Sequence, residues 1–155
     1  MSLVITGAAG FIGSNLLHNL IDIYDSEIVV IDYLTDASDV DNVPEFVNLY
    51  PVDIADRHTV DEVFNKHRPE YVFHLAAESH VDNSIEDCIP FVETNVIGTI
   101  NLMNASLEYD VKKYMHISTD EYMVLLVNTI HRLQRTHHTI HKILIQHQRH
   151  LAITS

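Results

Sequence analysis

The sequence has one cysteine, no tryptophan and only nine lysines and arginines among its 155 residues. A lone cysteine cannot form a disulfide within the chain, so we expect Cys88 to be a small buried residue in a reducing compartment such as the cytoplasm. The 22 acidic residues give a net charge of −13, which disfavours nucleic-acid binding. Because no apolar run reaches about 18 residues and no signal-peptide pattern opens the chain, we expect no membrane segment.

Acidic residues, glycine and proline are all missing from residues 122–155. The 22 acids lie within residues 1–121, where five lysines and arginines leave a net charge of −17. The remaining 34 residues carry four lysines and arginines, a charge of +4, and six of the twelve histidines. We therefore expect one globular domain at residues 1–121 and a histidine-rich segment of different character at residues 122–155.

A glycine-punctuated turn lies near the start of the chain. The apolar residues 3–5 predict a buried strand. Gly7, Gly10 and Gly13 follow, and residues 14–23 have helical apolar spacing. Gly7 allows a sharp turn, Gly10 leaves room for a pyrophosphate, and Gly13 lets the helix pack closely, with its amino end facing the phosphates. This order predicts a dinucleotide site, although an ordinary glycine turn is an open alternative because the spacing is G-x-x-G-x-x-G.

Asp32 ends the next apolar run, residues 27–31. An acid at the tip of the second strand, about 20 residues after the glycines, is placed to bind a ribose hydroxyl. Its charge would repel a 2′-phosphate. The sequence therefore favours NAD over NADP as cofactor.

Strand and helix patterns alternate along the rest of residues 1–121. Strands are predicted at 46–50, 71–75 and 112–118, and helices at 57–67 and 91–108, the first capped by Asp56 and the second preceded by a break at Pro90. The fold class is therefore α/β, a doubly wound parallel sheet of the Rossmann type with strand order 3-2-1-4-5, ending after the fifth strand.

Several motifs together resemble one known family. They are Thr-Gly-Ala-Ala-Gly-Phe-Ile-Gly at 6–13, Asp-x-Leu-Thr at 32–35, Asp-Ile at 53–54, His-Leu-Ala-Ala-Glu-Ser-His-Val-Asp at 74–82, Glu-Thr-Asn-x-x-Gly at 93–98 and His-Ile-Ser-Thr-Asp-Glu at 116–121. Residues 1–121 thus resemble the nucleotide-sugar branch of the extended short-chain dehydrogenases, most closely the dTDP-glucose 4,6-dehydratase family. The glycine motif is shared across the superfamily, whereas the motifs at 75–82 and 118–121 are more specific.

The resemblance implies an NAD-dependent lyase, homodimeric in the family, that binds dTDP-glucose or a similar nucleotide sugar. The sugar is oxidised at C4, water is eliminated across C5 and C6, and hydride returns to C6. It implies Asp120 as general acid and Glu121 as general base, with His80 and Thr119 facing the sugar. It also implies that the cofactor is bound by Gly7, Gly10, Phe11, Ile12, Gly13, Asp32, Tyr33, Leu34, Thr35, Asp53, Ile54, Leu75, Ala76, Ala77, Glu78, Ser79 and Thr94. No metal site is implied.

Two features of the family are missing. Residues 122–155 contain no Tyr-x-x-x-Lys pair, and we expect the substrate domain to be absent. Tyr109 and Lys113 have the right spacing, but Tyr109 lies at the end of the helix before the fifth strand. Since that tyrosine takes the C4 hydroxyl proton, we expect the chain to be inactive. A non-catalytic NAD-binding module is one alternative. A related epimerase or decarboxylase is another, disfavoured by the acidic pair at residues 120–121.

A frameshift after Glu121 would explain the change of composition. Deleting one base from codons for Glu-Val-Tyr-Gly yields Glu-Tyr-Met-Val, as found at residues 121–124. Over residues 136–149 the restored frame permits Thr-Pro-Tyr-Asn-Pro-Gln-Asn-Pro-Tyr-Ser-Ala-Ser-Lys, which contains the missing pair. The competing hypothesis is a genuine histidine-rich tail, in which His137 with His141, or His147 with His150, would share a helix face and bind metal.

Overall fold

A five-stranded parallel sheet forms the centre of the computed structural model, which describes residues 2–79 and 87–117. The strands are β1 (Ser2–Thr6), β2 (Glu27–Ile31), β3 (Asn48–Tyr50), β4 (Tyr71–His74) and β5 (Lys113–His116). Their order is β3-β2-β1-β4-β5, with every neighbouring pair parallel, which confirms the predicted topology. Because β1 is central, the loop after it lies between the ends of β2 and β4.

Helices connect the strands on both sides of the sheet. They are α1 (Phe11–Ile21), α2 (Arg57–His67), α3 (Ile89–Val92) and α4 (Thr99–Glu108), with a 3₁₀ turn at Val40–Asn42 and a π-helical segment at Glu93–Gly98 joining α3 to α4. The bounds predicted for α2 are confirmed, and Asp56 caps it by accepting a hydrogen bond from the His58 backbone N–H. Pro90 lies in the first turn of α3, where its missing N–H costs nothing. Residues 80–86, which precede it, lie outside the described residues, so a break there stays a prediction.

Side chains that alternate along the buried strands form two hydrophobic clusters. Leu3 and Ile5 of β1 pack with Leu17 of α1 on one face. Val4 packs with Phe64 of α2 and residues of α4 on the other. The sheet is therefore covered on both faces, which is the three-layer arrangement of a doubly wound domain.

The helix at 91–108 was predicted from an apolar row, and four of its five members are exposed while Met103 is partly buried: Val92, Val96, Ile100, Met103 and Leu107. Val96, Ile100 and Leu107 are 50%, 48% and 69% exposed. The opposite side of α4 faces the core, where the Asn101 side-chain amide donates to the carbonyls of Ile54 and Ala55 at 3.0 and 2.8 Å. The helix thus buries a partly polar face and leaves its apolar row open.

Cys88 is exposed at the start of α3, so the expectation that it is buried was wrong. It is the N-cap residue of α3 and belongs to neither core cluster. In the part of the chain that the structure describes, no helix has the length and apolarity needed to cross a membrane. The same residues contain no group of three or more side chains suited to hold a metal ion.

Candidate functional site

The turn after β1 is shaped by two glycines that tolerate no side chain. Gly7 has a φ of 74°, and a Cβ there would lie 2.6 Å from the backbone nitrogen of Ala76. A Cβ on Gly13 would collide with the Gly7 carbonyl oxygen and lie 2.7 Å from the Ala8 Cα. These two glycines let β1, the end of β4 and the first turn of α1 approach one another, as the sequence predicted.

Gly10 is different, because a Cβ there would meet only the Gly7 carbonyl oxygen at an ordinary 3.5 Å. It is the N-cap of α1, and no side chain caps the helix. The following residues, Phe11 and Ile12, are 84% and 66% exposed. The amino end of α1 therefore presents backbone N–H groups and the positive end of the helix dipole to an open surface, which suits an anionic ligand.

Asp32 lies immediately after β2 and is only 5% exposed. Its Oδ2 accepts a hydrogen bond from the Ala9 N–H at 2.9 Å. Its Oδ1 accepts from the Leu34 N–H at 2.9 Å and from the Ser38 hydroxyl at 3.0 Å. The carboxylate therefore joins the glycine turn to the loop after β2, while Oδ2 retains capacity for one further donor.

The segment after β4 forms the third side of the site. The Leu75 N–H donates to the Thr6 carbonyl oxygen at 3.1 Å, and the Ala76 N–H donates to Thr6 Oγ1 at 3.2 Å. Two residues on, Glu78 and Asn95 form a reciprocal pair of hydrogen bonds, both 2.9 Å long. The Glu78 N–H donates to the side-chain oxygen of Asn95, and the side-chain amide of Asn95 donates to the Glu78 carbonyl oxygen. The predicted cofactor segment, residues 75–79, is thus held by hydrogen bonds at residues 75, 76 and 78. Ala77, between these contacts, and Ser79, after them, are exposed.

His74 links β1 to α4 through a buried polar chain. Its Nδ1 lies 2.7 Å from Thr6 Oγ1 and its Nε2 lies 2.9 Å from Thr99 Oγ1. Because the Thr99 hydroxyl donates to the Asn95 carbonyl, the imidazole donates from Nε2 and accepts at Nδ1. Burial, followed by the nearby His116, lowers the pKa of His74 to about 3, so the ring is neutral.

The remaining predicted cofactor residues differ in their surroundings. Tyr33 is 64% exposed, and Asp53 is partly buried, with Oδ1 accepting from the Ala55 N–H at 2.8 Å. Ile54 is 3% exposed, and its side chain packs where a Cβ on Gly98 would collide with it. Thr35 and Thr94 are partly buried. Their contacts with a cofactor stay predictions.

The predicted sugar-binding and acid–base residues lie outside the described residues. These are His80, Thr119, Asp120 and Glu121, and the segment 122–155 also lies outside. The structure adds polar side chains that the sequence did not single out, notably Ser38 and Asn42 in the loop after β2. Nothing in their local pattern marked them, because their partners are 6 and 33 residues distant in sequence.

Comparison with known proteins decides the family. The family model described as GDP-mannose 4,6 dehydratase matches residues 4–123. The chain belongs to this family. Among curated relatives, the dTDP-glucose 4,6-dehydratase of Haemophilus influenzae is 40% identical over 136 residues. That alignment spans 78% of this chain and 40% of the relative, so the chain covers about two fifths of the relative's length.

Solved structures of this dehydratase family and of related epimerases share the fold. The dTDP-glucose 4,6-dehydratase of Streptomyces venezuelae, determined with NAD bound, has a TM-score of 0.71 and 35% identity, covering 78% of this chain and 40% of that one. The UDP-glucose 4-epimerase of Thermotoga maritima has a TM-score of 0.73 and 38% identity, covering 77% and 38%. Both the predicted fold class and the predicted family resemblance are confirmed.

Proposed function

We propose that this chain is the NAD-binding part of a dTDP-glucose 4,6-dehydratase, acting on dTDP-glucose or a similar nucleotide sugar in the cytoplasm. One observation carries the proposal. The buried Asp32 carboxylate lies at the end of β2 and is hydrogen-bonded to the turn that leads into the uncapped amino end of α1. A ribose hydroxyl and a pyrophosphate need those two features side by side.

The site fits NAD better than NADP. Three donors already occupy Asp32, and the remaining capacity on Oδ2 suits one ribose hydroxyl. A 2′-phosphate would face a buried carboxylate with no cation among its hydrogen-bond partners. When bound, NAD would accept the hydride from C4 of the sugar and return it to C6. The chain's own groups would bind the pyrophosphate at Phe11 and Ile12 and exclude water along residues 75–79.

The dehydration itself needs an acid and a base close together. Asp120 would protonate the departing C6 hydroxyl and Glu121 would remove the C5 proton, while His80 and Thr119 would bind the sugar. No tyrosine followed four residues later by lysine exists after Glu121. The group that removes the C4 hydroxyl proton is therefore not among residues 1–155, and we expect no turnover from these residues alone.

We infer that residues 122–155 are an out-of-frame translation of the segment that follows Glu121 in the family. The change of composition begins directly after the last family motif, and the restored frame permits Tyr-Ser-Ala-Ser-Lys. Sequencing the gene across codons 120–123 tests this. A missing base relative to a long downstream frame supports the frameshift, and an intact frame ending after Ser155 contradicts it.

The open apolar row of α3 and α4 supports a homodimer. The row, which also runs through the π-helical segment between these helices, has apolar residues at spacings of three, four or seven, each at least 48% exposed: Ile89, Val92, Val96, Ile100 and Leu107. Such a row on one helix side is typical of a helix–helix interface. A second copy presenting the same row would cover it symmetrically.

Product analysis with a repaired gene separates the two enzyme functions. The dehydratase proposal predicts a 4-keto-6-deoxy sugar nucleotide from dTDP-glucose. An epimerase would return a hexose nucleotide inverted at C4 without loss of water. The acidic pair at residues 120–121 favours the first outcome, and the second would refute the proposal.

A further inference from the structure

The backbone of Ala9 is held from both sides by the loop that follows β2. Its N–H donates to Asp32 Oδ2 at 2.9 Å. Its carbonyl oxygen accepts from the Asp39 N–H at 3.1 Å and from the Asn42 side-chain amide at 2.8 Å. Ala9 itself is fully buried, so its orientation is fixed by these three hydrogen bonds and not by solvent.

The orientation of Ala9 determines where α1 begins. In a trans peptide the Ala9 carbonyl and the Gly10 N–H point in opposite directions. With the carbonyl held by Asn42 and Asp39, the Gly10 N–H points back to the Gly7 carbonyl oxygen, 3.4 Å away, and closes the turn. Gly10 then accepts the first hydrogen bond of the helix, from the Ser14 N–H at 2.9 Å. The free backbone N–H groups that would face a phosphate come next in the chain, in the first turn of α1.

Asn42 is itself held in place. It ends the 3₁₀ turn Val40–Asn42, which is capped by the Asp39 carboxylate accepting from the Asp41 N–H at 3.0 Å. The next residue, Val43, is buried in the core cluster beside β1 and α1. The amide donor of Asn42 therefore comes from a fixed backbone position.

We propose that Asn42 is a positioning residue for the pyrophosphate. By holding the Ala9 carbonyl, it locks the glycine turn against the loop that carries Asp32, so that the ribose and pyrophosphate contacts keep one relative geometry. This inference rests on the proposed NAD binding. Asn42 touches no ligand in this account. Its effect is transmitted through the Ala9–Gly10 peptide.

Ligands that differ in their phosphates separate positioning from general stability. Asn42→Asp keeps the shape but replaces the donor with an oxygen that repels the Ala9 carbonyl. Binding of NAD, ADP and adenosine to the full chain is measured by calorimetry. We expect Asn42→Asp to weaken NAD and ADP by about fivefold or more, the effect of one lost hydrogen bond, and to leave adenosine within about twofold. Asn42→Ala, which adds no charge, carries the same expectation if Asn42→Asp does not fold.

Asp41→Asn is the matched control, because residue 41 contributes only its backbone N–H to this turn. It should bind all three ligands as the unmodified chain does. Equal loss of adenosine and ADP affinity in the Asn42 variants, or no loss of either, would overturn the inference. Failure of the unmodified chain to bind NAD would instead refute the proposed function, so the two failures are distinguishable.

Discussion

Alanine substitution of Gly13 should destabilise the fold, whereas substitution of Gly10, in the same turn, should leave folding stability nearly unchanged. In Gly13→Ala the new Cβ would overlap backbone atoms of Gly7 and Ala8, which no side-chain rotation can relieve. Overpacking of this kind costs about 1–3 kcal/mol, and more when backbone must move. In Gly10→Ala the new Cβ meets nothing closer than 3.5 Å, and the backbone, with φ −78° and ψ 174°, is ordinary extended geometry. Its folding stability should change by less than about 1 kcal/mol.

The same alanine at position 10 should damage ligand binding. Its methyl group would stand at the N-cap of α1, where the pyrophosphate has to approach the free N–H groups. We expect NAD affinity to fall at least about tenfold, or about 1.4 kcal/mol. Thermal unfolding and NAD calorimetry on both variants check this. A Gly10→Ala chain that binds NAD as tightly as the unmodified chain would refute the assignment of the phosphate site.

Three further predictions concern charge, pH and assembly. Asp32→Asn should weaken NAD binding and narrow the preference for NAD over NADP, measured by titrating both; an unchanged preference would contradict the ribose role of Asp32. The pKa of His74 is lowered to about 3 on folding, so between about pH 6.5 and 3 only the unfolded state gains this proton. The free energy of unfolding therefore decreases as the pH falls, by about 1.4 kcal/mol per pH unit. Urea unfolding at pH 7.5, 6 and 5 should show a shallower loss in His74→Asn, and parallel profiles would refute this. Ile100→Arg should favour the monomer in sedimentation experiments, whereas Ile23→Arg, on another exposed isoleucine, should not; a dimer that survives Ile100→Arg, or a chain that is monomeric without it, contradicts the proposed interface.

The sequence predicted the sheet well because its signals are local. The predicted bounds of one strand and one helix, residues 27–31 and 57–67, agree with the structure. The strand is an apolar run and the helix is capped by Asp56, so both limits are visible in the local sequence. The strand order followed from the alternation of strands and helices. Gly7 and Gly13 were also identified from spacing alone, because close backbone approach demands glycine wherever it occurs.

The burial of α4 could not be predicted from its apolar periodicity. Val96 and Ile100 have helical spacing, yet the helix packs through Leu102, Ala105 and Asn101. The deciding contacts are between Asn101 and the carbonyls of Ile54 and Ala55, more than 45 residues away in sequence. A pattern within one helix shows that one side is apolar, but it does not show whether that side meets the core or a partner.

Long-range hydrogen bonds also explain why parts of the candidate site were missed. Asp32 was expected to meet a ribose, and the structure shows that it also binds the Ala9 N–H. Asn42 reaches the same peptide from 33 residues further along the chain. His74 lay within a recognised motif, but its place between Thr6 and Thr99 depends on the pairing of β4 with β1.

Titration of the full chain with NAD and NADP shows whether the glycine turn and Asp32 form an NAD site. We expect saturable binding of one NAD per chain and weaker binding of NADP, because Asp32 offers an acceptor to a ribose hydroxyl and repels a 2′-phosphate. Thermal unfolding in parallel establishes that the chain is folded. A folded chain that binds neither dinucleotide, or binds NADP as tightly as NAD, would contradict an NAD site at Asp32 and the glycine turn.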